Sequence, residues 1–262
     1  MTGPKIVLKK RFMPDEFRPT LAENGVDATV LVQTRIPMDE TREWLELAAV
    51  TDFVVGVVGW VDLTSPKVAG DLAELRNRPD GRYLVGVRHK LHDEAGPNWI
   101  LREDVQRGLA AVGDAGITFD LLVRPRELPA CLEAVRRFPD LRFVIEHIAK
   151  PDIANREING WSAGMAPFAD CGNVWCKLSG MVTEADLQRW TPADFAPYVT
   201  RVMQWFGEDR VMFGSDWPVC LLGGSYGQIK HALETCLGNL SPETKAKILG
   251  GNAIKAYRLR IP

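Results

Sequence analysis

The stretch Arg210-Val-Met-Phe-Gly-Ser-Asp-Trp-Pro-Val-Cys220 places a lone acid just after a short apolar run. The run Val211–Phe213 is typical of a buried strand, and Gly214 ends it. Asp216 follows, and Trp217-Pro218 prevents regular structure from continuing. A carboxylate in this position lies at the carboxyl-terminal edge of a parallel sheet, where α/β proteins carry out chemistry. The stretch therefore predicts a parallel α/β fold with Asp216 at its functional edge.

Apolar runs of this kind alternate with amphipathic segments along the whole chain. The predicted strands are Ala28–Val32, Phe53–Val61, Tyr83–Val87, Thr118–Val123, Arg142–Ile145, Val174–Leu178 and Val211–Phe213. The predicted helices are Pro14–Glu23, Asp39–Ala49, Lys67–Asn77, Glu103–Ala115, Glu127–Phe138, Trp161–Asp170, Ala193–Phe206, Tyr226–Leu237 and Ser241–Tyr257. Strict alternation predicts parallel strands joined by right-handed crossovers. The sequence contains no linker, repeat or low-complexity segment, so we expect residues 1–262 to form a single domain.

The number of predicted strands bears on the type of barrel. A closed β/α barrel needs eight strands, and its usual length of about 250 residues fits this chain. Here a helix-like segment, Pro14–Glu23, stands where a first strand is expected. Ile6-Val7-Leu8 is a weak substitute, because Lys9-Lys10-Arg11 follows it at once. We therefore expect a TIM-like (β/α)8 barrel that is open at one end or lacks its first strand.

Composition and charge narrow the class of protein. The net charge of −2 provides no basic field for nucleic acid. The five cysteines are scattered without a C-x-x-C pair, which favours reduced thiols in a cytoplasm. The N-terminus has no apolar core long enough for a signal peptide, and the longest apolar run, Phe53–Val61, is too short to span a membrane. We expect a cytoplasmic protein that acts on a small molecule, and a homo-oligomer remains open.

Several polar side chains are predicted to lie at the same sheet edge as Asp216. His89 and His92 follow the predicted strand Tyr83–Val87, and His147 follows Arg142–Ile145. Arg88 and Arg124 also stand where predicted strands end. The carboxyl ends of parallel strands meet at one edge, so these residues are candidates for a shared site.

Structural roles compete with each of these assignments. Asp216 fits a turn residue or helix N-cap, and His147 fits an imidazole bonded to nearby backbone. Arg88 and His89 also fit ion pairs with Asp93 or Glu94, and Arg124 fits a loop support.

Missing motifs exclude several other chemistries. The sequence has no G-x-x-x-x-G-K-[ST] phosphate loop, no G-x-G-x-x-G after a strand and no G-x-S-x-G elbow. It also has no H-x-H and no H-E-x-x-H pair of metal ligands. Nucleotide binding and serine-nucleophile hydrolysis are therefore not indicated.

Five segments resemble those of the amidohydrolase-related lactonases, in the order of that family. They are Val-Gly-Val-Arg-His-Lys-Leu-His-Asp-Glu94, Phe-Asp-Leu-Leu-Val-Arg-Pro-Arg-Glu-Leu-Pro129, Glu-His-Ile-Ala-Lys-Pro-Asp-Ile153, Cys-Lys-Leu-Ser-Gly180 and Phe-Gly-Ser-Asp-Trp-Pro-Val-Cys220. The resemblance runs from about Arg11 to the C-terminus. This branch of the amidohydrolase superfamily includes L-fucono-1,5-lactonase and 2-pyrone-4,6-dicarboxylate hydrolase. The sugar-lactonase side is closer, because of the Arg-His…His-Asp-Glu and Leu-Val-Arg-Pro-Arg runs.

The resemblance implies a distorted (β/α)8 barrel and roles for two residues. The family's final-strand aspartate matches Asp216 and activates water. Its mid-barrel histidine matches His147 and polarises the lactone carbonyl or binds a metal. Ala149 stands where a glycine is common. The family also opens with a strand that ends in H-x-H, and this chain has none.

A metal is the cofactor that the resemblance raises. His147 and Asp216 would be the ligands of one divalent ion, Zn or Mn. Catalytic zinc usually has three protein ligands, so the missing H-x-H argues for weak binding or none.

The leading expectation is an enzyme that opens a sugar-derived lactone resembling L-fuconolactone. Asp216 would serve as the base for the attacking water, and His147 would stabilise the oxyanion. Substrate-binding roles fall to Arg88, His89, His92 and Arg124. One alternative is hydrolysis or decarboxylation of an aromatic-pathway acid, which needs several arginines facing carboxylates. Another is a truncated barrel with weak or no activity.

Overall fold

The computed structural model describes residues 7–261 and contains a curled, parallel seven-stranded sheet. The strands are β1 (Thr29–Val32), β2 (Val54–Gly59), β3 (Leu84–Lys90), β4 (Thr118–Leu122), β5 (Phe143–Ile145), β6 (Val174–Leu178) and β7 (Val211–Phe213). They follow one another across the sheet in chain order, as expected from strict β/α alternation. The predicted set of strands is confirmed, although several bounds move by a few residues.

Helices precede, separate and follow these strands. They are α1 (Pro14–Glu23), α2 (Met38–Ala49), α3 (Val68–Asn77), α4 (Glu103–Asp114), α5 (Leu128–Arg137), α6 (Asn159–Met165), α7 (Pro192–Phe206), α8 (Tyr226–Leu237), α9 (Pro242–Ala246) and α10 (Asn252–Tyr257). The helix predicted over Ser241–Tyr257 is interrupted, because Lys247–Gly251 forms a π-helical turn that contains two glycines. No helix of residues 7–261 is long and apolar enough to cross a membrane.

The sheet forms a half-barrel and is open along one side in the part of the chain that the structure describes. Within residues 7–261, β1 pairs only with β2 and β7 only with β6. All four residues of β1 are partly exposed, whereas the strands at the centre of the sheet are almost wholly buried. Of the weak strand candidate Ile6-Val7-Leu8, Ile6 lies outside the described residues, and Val7 and Leu8 are helical rather than extended. The expectation of one domain over residues 1–262 stays a prediction.

Two apolar clusters stabilise the half-barrel. The larger one fills the space between the sheet and the outer helices. The smaller one lies within the curl of the sheet, where α10 contributes Ala256 and Tyr257 against Val58, Val144 and Met212. Close packing of this kind fixes the strands relative to one another, and so fixes the positions of the side chains at the strand ends.

Candidate active site

The carboxyl ends of β5, β6 and β7 bring together His147, Ser179 and Asp216. These three strands are neighbours in register, with Ile145 beside Cys176 and Leu178 beside Phe213. His147 Nε2 lies 3.7 Å from Asp216 Oδ1, and both side chains are largely buried. The two candidates from distant parts of the sequence thus face each other at one edge of the sheet.

His147 is held from its other ring nitrogen by Ser179. The Ser179 hydroxyl lies 2.8 Å from Nδ1. Nε2 lies between two carboxylates, 3.7 Å from Asp216 Oδ1 and 3.6 Å from Glu146 Oε2. A proton on Nε2 is favoured by both acids, so we assign Ser179 as the donor and Nδ1 as the acceptor. In this tautomer His147 presents an N–H toward Asp216.

The backbone around both residues is left-handed. His147 has φ 52° and Asp216 has φ 55°, a region that non-glycine residues rarely occupy. Gly180 makes room for the His147 ring, because a Cβ on Gly180 would lie 2.6 Å from His147 Cγ. Strained backbone of this kind collects at functional sites, where the surrounding structure enforces it.

A network of buried charges lies inside the half-barrel, around Glu146. Lys177 Nζ donates to Asp120 Oδ2 and to Glu146 Oε1, both at 2.9 Å. The Tyr257 hydroxyl donates to the same Asp120 oxygen at 2.6 Å, which connects α10 to the network. Burial raises the pKa of Asp120 to about 7 despite Lys177. Burial also disfavours the charge of Glu146, but the nearby cations outweigh it and hold the Glu146 pKa well below its ordinary value.

Arg88 belongs to this network. Its Nη1 donates to Glu146 Oε1 and its Nε to Gln33 Oε1, both at 3.3 Å, while Nη2 donates to the Gln33 carbonyl. Only 8% of Arg88 is exposed. All three guanidinium nitrogens of Arg88 therefore donate hydrogen bonds to groups of the protein.

His89 also has its ring nitrogens occupied. Trp60 Nε1 donates to His89 Nδ1 at 3.2 Å, and Nε2 lies 2.7 Å from Glu94 Oε1. The Trp99 ring stacks on the imidazole, with centroids 4.2 Å apart and planes 5° from parallel. Because Nδ1 accepts, Nε2 carries the proton and donates to Glu94. Glu94, which is partly exposed, is thus oriented by His89.

The loops that follow β3, β4, β5 and β6 carry four further polar side chains, which are His92, Arg124, Lys150 and Glu184 respectively. Arg124 Nη1 donates to Glu184 Oε2 at 3.0 Å, and Lys150 Nζ donates to Glu184 Oε1 at 2.8 Å. Burial lowers the pKa of His92, which favours its neutral form. The Arg124 side chain is about half exposed, so part of its guanidinium faces solvent.

Residues of the site that were not among the sequence candidates include Glu146, Ser179 and Glu184. Two of them carried a signal, because Glu146 and Ser179 each follow a predicted strand directly, as Asp216 nearly does. Glu184 carried none, since its partners come from other loops.

One cavity lies next to this site rather than within it. It has a volume of about 330 Å³ and is lined by α1, the start of α8, and Trp217. Neither His147 nor Asp216 lines it. We therefore assign the candidate site from the convergence of titratable groups.

The chain matches known proteins over nearly its full length. The family model described as Amidohydrolase matches residues 7–259. An L-fucono-1,5-lactonase of Burkholderia ambifaria is 41% identical over 96% of this chain and 87% of its own length. An L-fucono-1,5-lactonase of Burkholderia multivorans is 35% identical over 98% and 89%. A crystal structure of a Burkholderia multivorans amidohydrolase with bound zinc has a TM-score of 0.93 at 33% identity, covering 99% of this chain and 93% of the other.

Proposed function

Because the chain belongs to the amidohydrolase family, we propose that it is a hydrolase that opens a sugar-derived lactone resembling L-fuconolactone. The approach of His147 Nε2 to within 3.7 Å of Asp216 Oδ1 carries this proposal. Ester hydrolysis needs a base for water and a donor for the oxyanion. A carboxylate and an imidazole N–H at one sheet edge provide both.

Asp216 acts as the base in this mechanism. It removes a proton from water as the water oxygen forms a bond to the ring carbonyl carbon. The carbonyl oxygen becomes an oxyanion that accepts a hydrogen bond from His147 Nε2–H. The bond from the carbonyl carbon to the ring oxygen then breaks, and the proton on Asp216 passes to that departing oxygen.

His147 acts as a neutral donor. Burial lowers its pKa, and this outweighs the opposite effect of Asp216 and Glu146. A neutral ring with its proton on Nε2 donates a hydrogen bond without competing for the proton that Asp216 carries. Ser179 maintains the tautomer that this role requires.

Substrate hydroxyls are bound on the loops beside this pair. Arg124 offers the exposed part of its guanidinium, and His92 lies beside the same loops. His89 acts through Glu94, whose carboxylate is an acceptor for hydroxyl groups. Arg88 supports Glu146 from the interior.

The pairing of the arginines favours a neutral lactone over an aromatic acid. Arg88 is bonded to Glu146, Arg124 to Glu184, and Arg126 to Glu127. A site for a dicarboxylate needs guanidinium groups free to pair with the substrate. These three are already neutralised by carboxylates of the protein.

Members of the family typically use a divalent metal, and one related structure contains zinc. With the ring proton moved to Nδ1, His147 Nε2 would be one suitable donor and Asp216 Oδ1 a second, but the neighbouring Glu146 uses Oε1 to bind Lys177 and Arg88. Within residues 7–261, no three His, Cys, Asp or Glu side chains are arranged to hold a metal ion. The described residues do not complete a three-ligand zinc site. No step of the mechanism is therefore assigned to a metal.

A substrate screen tests the proposal. The purified protein is mixed with a panel of aldonolactones and pyrone acids in weak buffer, and acid release is followed with a pH indicator. Each assay is run without metal, with zinc and with manganese. We expect release from a sugar lactone that is lost in Asp216→Asn. Release from pyrone acids alone would replace this function with the acid-hydrolase alternative.

A further inference from the structure

The turn that carries His147 contains four consecutive left-handed residues. The φ angles of His147, Ile148, Ala149 and Lys150 are 52°, 47°, 59° and 49°. None is a glycine, and L-residues adopt left-handed backbone only at an energetic cost. Contacts from elsewhere in the fold must therefore hold the turn.

Trp161 holds the middle of this turn, and Glu184 holds its end. Trp161 Nε1 donates to the Ile148 carbonyl at 2.6 Å. Lys150 Nζ donates to Glu184 Oε1 at 2.8 Å. The Glu184 carbonyl also accepts from the Ala154 backbone N–H at 2.9 Å. Glu184 thus binds the loop after β5 through both its side chain and its backbone.

The Glu184 carboxylate has two partners with different surroundings. Oε1 binds Lys150, three residues after His147, in a pair whose side chains are only 15% and 11% exposed. Oε2 binds Arg124, on the loop after β4, whose side chain is 48% exposed. An exposed ion pair contributes little to stability, whereas removing one partner of a largely buried pair leaves an uncompensated buried charge and disturbs its surroundings. The Lys150 contact is therefore the one that constrains the turn.

We propose that Glu184 is a positioning residue that fixes His147 relative to Asp216 by holding Lys150 at the end of the left-handed turn. This inference rests on the proposed function and extends it to a residue that does not contact the reacting atoms. The Arg124 contact of the same carboxylate acts on the substrate-binding side. The Lys150 contact should therefore affect kcat, and the Arg124 contact should affect KM.

Glu184→Gln keeps the shape of the side chain and removes its charge, so it is the principal variant. We expect kcat to fall about tenfold, because small errors in the placement of a catalytic group are costly. The same substitution is then made in the backgrounds Lys150→Met and Arg124→Met. Relative to Lys150→Met alone, adding Glu184→Gln should cause no further loss of kcat. Relative to Arg124→Met alone, it should still lower kcat.

A matched control is Glu208→Gln, which also removes a glutamate paired with a lysine, Lys247, but lies before β7 at the opposite edge of the sheet. It should leave kcat unchanged. The inference is overturned if Glu184→Gln leaves kcat unchanged, or if it lowers kcat equally with and without Lys150. Melting temperatures of all variants distinguish a misfolded protein from a mispositioned His147.

A readout without substrate keeps the two proposals separate. The chain has four histidines, so the ring signals of His147 can be identified by NMR from their loss in His147→Gln. Glu184→Gln and Lys150→Met should shift these signals in the same way, and Glu208→Gln should not. If the wild type opens no lactone, the function fails and this comparison still tests the positioning role. Unchanged His147 signals in both variants would refute that role.

Discussion

His147 Nε2 and Asp216 Oδ1 lie 3.7 Å apart, close enough to share one small molecule but beyond hydrogen-bonding distance. The Asp216 carboxylate is therefore not hydrogen-bonded to the imidazole, and it remains available to bind a water molecule. Both residues occupy left-handed backbone, at the ends of β5 and β7. This strain lies at the position where the proposed mechanism needs the two groups.

Gly180→Ala should displace His147. The new Cβ would lie 2.6 Å from His147 Cγ, and Gly180 itself has φ 63°. We expect kcat to fall about a hundredfold, because the ring must move by a large part of an ångström. Gly70→Ala is the control, since Gly70 lies in α3 with no atom near its missing Cβ, and it should raise the melting temperature. Normal kcat in Gly180→Ala would show that the position of the ring is not critical.

Ala149→Gly should cost little stability although Ala149 is fully buried. Removing the methyl group loses about 0.8 kcal/mol of burial, but glycine relieves a left-handed penalty of about 1–2 kcal/mol. Ala134→Gly is the matched control, because Ala134 is as deeply buried and lies within α5. It should cost about 1.5–2 kcal/mol, from lost burial and lost helix propensity. Urea unfolding measures the free energy of unfolding of both variants. Equal losses in Ala149→Gly and Ala134→Gly would contradict the strain at Ala149.

Asp120→Asn should alter how stability depends on pH. Burial raises the folded pKa of Asp120 from 3.8 to about 7, so this carboxyl favours the fold below pH 3.8 and loses that contribution as the pH rises through 7. Asparagine does not ionise. The variant should therefore gain stability relative to wild type as the pH rises from about 4 to about 7, as measured by urea unfolding at a series of pH values. If plots of unfolding free energy against pH run parallel for the two proteins, the raised pKa of Asp120 is contradicted.

The strand pattern was predictable from sequence because buried parallel strands are short continuous apolar runs. Val174–Leu178 and Val211–Phe213 were predicted with the observed bounds. Strand β3 was predicted to end at Val87, yet it continues to Lys90. Arg88 and His89 therefore lie within the strand. Glu146 accepts from Arg88, and Trp60 donates to His89, so their polar atoms are satisfied there.

The site was predictable only in part. Strand ends meet at one edge, so the proximity of His147 and Asp216 followed from the positions of the strands in sequence. Contacts between loops had no comparable signal. Glu184 binds Lys150 and Arg124 across three loops, and no spacing along the chain encodes that arrangement. The same holds for Gly180, whose importance depends on how closely the imidazole approaches it.

The most direct test is a comparison of Asp216→Asn with wild type on the sugar lactone that the screen identifies. Asparagine preserves the shape of the side chain and removes the base. We predict that kcat falls about 10²–10⁴-fold while KM and melting temperature change little. A near-normal kcat in a folded Asp216→Asn protein would contradict the assignment of Asp216 as the group that activates water.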